Sequence, residues 1–491
     1  MFSKLNPEWN KTTISITILL SLILTFFVLY NPIETTTALN EAYIYLSTIF
    51  ENYYVYGSLI LLLFLIGLAL SKYGSIKVNI HNKSSHSFFS WGGMLFAAGI
   101  GAALLYWSTV EWIDYYNVLD DYDYEERITY SRVYPLFHWS FTAWAIYCLP
   151  AVAFALSLSI RPKSKLTFSG IFNVKNKFNE LVLDIVFIGA IICGAGVGLG
   201  LSFPLISTLI SKVFSIDKNI YLDFFTIFLC LSIFGSSAYA GIQNGIKKLS
   251  NFNVILVIIF LFLVFILGPT SYILSNSFES FIFMMKKYPE LSTATGTEIS
   301  RDWSVFYWAW WLALAPMVGA FIINISNNKS LRQMILGTIL IGGFGCIFSM
   351  AILSNLSISL FESNTYNAPD LISNSLQTRE EIIVRTIGTL SFGKYILIAF
   401  LIICIIFLCT TYDSTSYVLA GASMKSSEQA SSKSLRVVYA IILVVQPTLL
   451  MFMGGVDAFK WIMVIASVPL LFINMLLIYS IIKNVYSIKK S

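Results

Sequence analysis

Apolar runs of about 20 residues, the length a helix needs to cross a bilayer, recur from one end of this chain to the other and leave it few other folds. Twelve are readable, at 13–30, 53–71, 90–110, 133–159, 181–211, 221–243, 252–275, 303–326, 331–353, 395–424, 435–453 and 460–482. A soluble chain of 491 residues would normally divide into several domains. Here 57% of residues are hydrophobic and 12% charged, with mean hydropathy +0.76, which fits a single bundle of membrane helices. The expected fold is an all-α membrane protein with 12 transmembrane helices. Cys148, Cys193, Cys230, Cys346, Cys404 and Cys409 all fall inside the runs and read as small packing residues. The first run is followed by "LYNPIETTTALNEAY" and no small-residue cleavage site, so it reads as a retained helix.

Charge placement gives an orientation. With an even number of spans and a cytoplasmic N-terminus, most Lys and Arg fall on the inner side, including "RPKSK", Lys175 and Lys177. The acidic "LDDYDYEER" (119–127) then lies outside. The positive-inside rule therefore predicts a multi-pass protein of the cell inner or plasma membrane with both termini cytoplasmic. The net charge of +5 follows from this topology, with contact to membrane lipid, and gives no reason to invoke nucleic acid. Phe278, Phe281, Phe283, Met284 and Met285, ahead of Lys286 and Lys287, predict an outer interfacial helix.

Two spans carry helix-breaking residues. The third contains "GGMLFAAGIGAALLYW", with Gly92, Gly93, Gly99 and Gly101; the eighth contains "WWLALAPMVGAF", with Pro316 and Gly319. Paired interruptions at corresponding places in two halves point to an inverted-repeat transporter with its site near the midplane. The competing explanation is close helix packing at small residues. The expected layout is 1–89 with helices 1–2, 90–275 as a first five-helix repeat (spans 3–7), 276–302 as the interfacial helix and loop, 303–482 as a second repeat (spans 8–12), and 483–491 as a tail.

On a helical wheel Trp139, Trp144 and Tyr147 share one face of the fourth span. Trp310 and Trp311 of the eighth flank Leu314, while Trp308 points elsewhere. Trp303 and Trp308 begin their span, where tryptophans usually anchor at the interface. Two converging aromatic faces without a nearby acid suit a quaternary ammonium, since a desolvated cation–π contact contributes about 2 kcal/mol or more.

"FYWAWW" followed by "APMVGAFIINISNNKSLRQMILG" closely resembles the eighth-helix signature of the betaine/choline/carnitine transporter (BCCT) family. "MLFAAGIGAALLYW", "FHWSFTAWAIY" and "FLCTTYDSTSY" resemble its third, fourth and tenth helices, and the layout is similar from about 13 to 482. The resemblance implies a secondary carrier in the LeuT-like arrangement, often a homotrimer, moving quaternary-ammonium compounds by alternating access. The family's aromatic box carries over to Trp139, Trp144, Tyr147 and Trp311, with Trp310 beside them. Leu314 stands where betaine carriers commonly have tryptophan and carnitine carriers tyrosine. The family's G-x-G-x-G segment becomes Gly99, Gly101 and Ala103; choline carriers typically have aspartate at the last position, so Ala103 points to a zwitterion.

Resemblance to sodium-coupled members implies a sodium site built from Ala97, Ile100 and Phe407 backbone oxygens with the Thr410 and Thr411 hydroxyls, oxygen ligands suited to a hard cation. The competing explanation for the threonines is hydrogen bonding to their own helix. The threonines of a second sodium site are absent from "IICGAGVGLGLS". Asn253 stands where sodium-independent carnitine exchangers have arginine. Glu111 and Asp413 are carboxylates at membrane depth, read as structural or gating groups or proton relays, with Glu111 near outer water. His138 reads as a hydrogen-bonded packing residue.

The expected function is sodium-coupled import of a betaine-like zwitterion, such as glycine betaine, carnitine or a sulfonium analogue, in osmoprotection. Sodium is the coupling ion and no cofactor is expected. The alternatives are a sodium-independent carnitine-type exchanger, a proton-coupled choline carrier, and more remotely a sensor or channel. No nucleophile, metal cluster or phosphate loop has catalytic spacing, which argues against an enzyme.

Overall fold

The computed structural model describes residues 8–78, 85–99, 101–240, 243–425 and 432–490. Its secondary structure is helical; the described strand-type contacts are two isolated bridges, Trp9 to Met424 and Lys77 to Ser330. Helices are what a chain this apolar must form in lipid, because each backbone N–H and C=O finds its partner within the same segment.

The order is α1 (Lys11–Tyr30), α2 (Pro32–Leu70), α3 (Phe88–Gly99), α4 (Ala102–Val118), α5 (Tyr124–Trp139), α6 (Phe141–Ile160), the short α7 (Phe168–Phe172), α8 (Lys177–Phe214), α9 (Ile220–Ala240), α10 (Gln243–Leu267) and α11 (Thr270–Leu291). A π-helical turn at Ser300–Ser304 leads into α12 (Val305–Ile325). There follow α13 (Leu331–Gly337), a second π turn at Thr338–Gly342, α14 (Gly343–Glu362), the short α15 (Ala368–Ser373) and α16 (Arg379–Gly388), α17 (Gly393–Ala422) and α18 (Lys433–Lys490). Among the described residues, eight helical stretches are long and apolar enough to span a membrane, nine if a bent pair counts as one.

The remaining four runs take the following forms. Run 90–110 is split between α3 and α4, where Gly101 is extended (φ −125°, ψ 174°). Run 221–243 becomes α9, Ile220–Ala240. Run 252–275 ends early: α10 stops at Leu267, Pro269 caps α11, and the two helices meet at 110°. The expected interfacial segment thus starts at Thr270. Runs 435–453 and 460–482 merge into α18 across Gly455, whose φ of +56° is a conformation that side chains disfavour.

Two expectations are corrected. The eighth span is not interrupted: α12 continues through Pro316 and Gly319. Gly319 serves close approach instead, since a methyl there would lie 2.9 Å from Pro150 and 3.0 Å from Ala151 of α6. The fourth span is the one that breaks, at Ser140 (φ −94°, ψ −135°), between α5 and α6. The helical wheel that put Trp139 in phase with Trp144 therefore does not apply.

α12 packs most extensively on α6, while α8 packs against α17, α18 and α12. The glycines of α8 make this possible. Leu314 of α12 lies against Gly194, 3.0 Å from where a methyl would stand, and the ring of Phe459 of α18 lies directly on Gly200. The hydroxyl of Tyr412 in α17 donates to the carbonyl of Ala195 at 2.6 Å.

Candidate functional site

The break at Ser140 lets α5 and α6 present aromatic side chains to α12 from two directions. Trp139, at the end of α5, meets Trp311 edge-on at 5.2 Å between ring centroids and Trp310 at 5.8 Å. Tyr147, on the second turn of α6, meets Trp311 at 4.6 Å. Trp311 is thus flanked by rings from two helices, and its buried indole N–H has no hydrogen-bond partner. Edge and tilted contacts of this kind are the favoured arrangement for aromatic pairs.

The other predicted box residues stand behind these three. Trp310 is fixed by its indole N–H, which donates to the Gly194 carbonyl at 2.9 Å, and by stacking on Phe306. Trp144 touches Tyr147 edge-on, but its indole lies on Gly342 and its N–H points to the sulfur of Cys346 at 3.4 Å. Leu314 faces Gly194 of α8. Trp308 and Trp303, expected as interfacial anchors, are both buried: Trp308 against Phe137 and His138, Trp303 against Trp107 and Tyr115. The apolar residues that follow them in α12 made the span look as if it began at these tryptophans, whereas neighbouring helices cover both.

A buried polar network lies behind Trp139. Glu111 of α4, expected near outer water, is fully buried; it accepts from the Trp139 indole at 2.8 Å and from the Tyr115 hydroxyl at 2.9 Å. Tyr115 also pairs with Nδ1 of His138 at 2.7 Å, and Nε2 of His138 with the Ser304 hydroxyl at 2.9 Å. His138 is therefore the hydrogen-bonded packing residue its isolation suggested. Sequence position alone could not place Glu111, because the end of an apolar run does not say which helices will cover it.

The segment between α3 and α4 carries the glycine motif. Ala97 and Gly99 are in the last turns of α3, Gly101 is the extended residue before α4, and Ala103 begins α4 half-buried. Ile100 lies outside the described residues. On α17 the Thr410 hydroxyl donates to the carbonyls of Ile406 (2.9 Å) and Phe407 (3.2 Å), while Thr411 is exposed on the bundle. Asn253 of α10 is buried, and its amide donates to the Ile403 carbonyl of α17 at 3.3 Å. Asp413, one turn beyond Thr410, is buried with one carboxylate oxygen unpartnered.

Beside the start of α16, Tyr106, Leu201, Pro204, Glu380, Asp457 and Phe459 line a cavity of about 540 Å³. Helix α16 is tied down here: Arg379 pairs with Asp114 of α4, and the Tyr106 hydroxyl donates to Glu380 at 2.9 Å. Burial alone would lower the Arg379 pKa, but the Asp114 carboxylate outweighs it and holds the guanidinium above its ordinary value.

A bundle of helices long and apolar enough to cross a bilayer repeatedly defines a multi-pass membrane protein. The chain belongs to the BCCT family, the betaine/carnitine/choline transporters, whose sequence profile matches residues 12–490. Members of this family are carriers and not enzymes. Among curated relatives, it is 28% identical to the carnitine transporter of Acinetobacter baumannii over 438 residues, covering 86% of this chain and 79% of that protein. It is 29% identical over 464 residues to the ectoine/hydroxyectoine transporter of Virgibacillus pantothenticus, covering 90% of each. An uncharacterised transporter of Escherichia coli K12, YeaV, is 27% identical over 424 residues, 83% of this chain and 87% of its own.

Proposed function

We propose that this chain imports a quaternary-ammonium zwitterion, such as glycine betaine, carnitine or a sulfonium analogue, by alternating access with sodium as the coupling ion. The observation that carries the reading is the convergence of Trp139, Tyr147 and Trp311 from α5, α6 and α12. Ring faces desolvated by a bundle attract an onium group and ask nothing of its hydrogen-bonding capacity. The substrate carboxylate would meet the start of α4, where Gly101 provides no side-chain cap for the first N–H groups and Ala103 provides no competing charge.

The reading includes twelve spans in two inverted repeats, 90–275 and 303–482, in a homotrimer in the cell membrane with both termini cytoplasmic. Residues 119–127 and α16 then face outward. In the sodium site, carbonyls of Ala97, Ile100 and Phe407 would join the hydroxyls of Thr410 and Thr411. Donation by Thr410 to its own helix leaves lone pairs on the oxygen for a cation. Osmoprotection is the role such cargo serves. The carnitine and ectoine/hydroxyectoine relatives support compact zwitterions as the cargo class.

Uptake of radiolabelled glycine betaine and carnitine into proteoliposomes, with and without an inward sodium gradient, tests this reading. Saturable accumulation that depends on the gradient is expected. Accumulation indifferent to sodium would overturn the coupling, and counterflow without any gradient would identify an exchanger.

A further inference from the structure

A buried cation stands opposite the buried carboxylate. Lys460 of α18 is 7% exposed, and its ammonium sits 4.2 Å above the ring of Trp303. Among the described residues no carboxylate comes within ion-pairing distance of it, and no cation within that distance of Glu111. Of the other core acids, Asp114 is paired with Arg379, Glu51 accepts from Arg301, Ser300 and Gly296, Asp184 accepts from Ser169, and Asp413 stands on α17 with one carboxylate oxygen unpartnered. Asp302 is half-buried and holds the Tyr43 hydroxyl, while Asp457, one turn before Lys460, is exposed. Water can solvate Asp457, but it cannot reach Glu111.

Two rings bridge the gap. Glu111 accepts from the Tyr115 hydroxyl, the Tyr115 ring meets Trp303 at 5.4 Å, and Trp303 carries the Lys460 ammonium on its face. Glu111 in turn holds the indole N–H of Trp139, a wall of the aromatic box. We infer that Lys460 is the counter-charge of Glu111 and that this separated pair keeps the box electrically neutral, making Lys460 a specificity-determining residue that favours zwitterions over net cations.

The inference rests on the proposed quaternary-ammonium cargo and deepens it. Two unit charges about 10 Å apart at an effective dielectric constant of about 20 change an equilibrium by roughly tenfold. Without Lys460, a net cation in the box would itself become the partner of Glu111. Replacing Glu111 by its neutral isostere would remove that advantage.

The test is the ratio of choline to glycine betaine affinity, read from intrinsic tryptophan fluorescence of the purified full chain. Lys460→Met is expected to raise the ratio about tenfold. Lys460→Arg is expected to keep it at the starting value, and Lys460→Met combined with Glu111→Gln to bring it back. A ratio is insensitive to the fraction of protein that folds, and a loss of packing alone would not move it in opposite directions. A ratio within twofold of the starting value in Lys460→Met, or an equal rise in Lys460→Arg, would overturn the inference while leaving the cargo reading intact. Binding of neither compound by the unaltered chain would overturn both.

Discussion

The indole N–H of Trp139 and the carboxylate of Glu111 meet at 2.8 Å, so a wall of the aromatic box is fixed by a buried acid on a different helix. Removing that acid leaves the Trp139 N–H and the Tyr115 hydroxyl without their acceptor in a site closed to water. An unsatisfied buried donor costs about 1–3 kcal/mol. Glu111→Ala is expected to weaken glycine betaine binding roughly thirtyfold, equivalent to about 2 kcal/mol. Fluorescence titration measures this, and unchanged affinity would mean that Trp139 is held by packing alone.

Trp311 and Trp308 lie three residues apart in α12 and should respond differently. Trp311→Ala removes the ring between Trp139 and Tyr147, and is expected to cost binding about 2 kcal/mol or more. Trp308→Ala empties a space against Phe137 and His138, and is expected to cost stability by about 3–5 kcal/mol. Binding and thermal unfolding in detergent, measured on both variants, separate the two effects; an equal loss of affinity would mean that the box is misassigned.

Asn253 reaches α17 at the Ile403 carbonyl, one turn before Phe407. An arginine there would bring a permanent positive charge close to the proposed sodium ligands. Asn253→Arg is expected to abolish sodium stimulation of uptake while leaving exchange of labelled for unlabelled substrate. Uptake compared in sodium and potassium media decides this, and retained sodium dependence would move the ion site elsewhere.

Arg379 pins α16 to α4 through Asp114, whose side chain is 8% exposed. Arg379→Met leaves that carboxylate buried and alone, a change that costs about 2–5 kcal/mol in comparable pairs. The variant is expected to unfold at lower temperature and to exchange the amides of α16 faster. Adding Asp114→Asn is expected to restore much of the loss. Absence of any recovery in the double variant would show that the two side chains are not coupled.

The membrane bundle was legible because apolar run length answers directly to bilayer thickness, and among the described residues eight of the runs fall in helical stretches long enough to span. The aromatic box was legible in composition but not in phase. Nothing about a serine in an apolar run announces that Ser140 will leave helical geometry, yet that break lets Trp139 and Tyr147 reach Trp311 from separate helices. Pro316 misled in the opposite direction, since proline marks a lost hydrogen bond without saying whether tertiary packing will carry the helix onward. Leu314 was read as an absent aromatic; in the folded chain it fills the groove left by Gly194. That pairing spans 120 residues, from α8 to α12, and no local pattern could disclose it.

Three contacts from other helices rest on seven residues of α8. Trp310 hangs from the carbonyl of Gly194, Tyr412 from that of Ala195, and Phe459 lies on Gly200. The aromatic cluster, Tyr412 of α17 and the start of the last span thus all lean on one short stretch of α8. A tilt of α8 would displace all three together, so in the proposed cycle release of cargo and of the proposed coupling ion would be timed by a single axle instead of by signals passed between two sites.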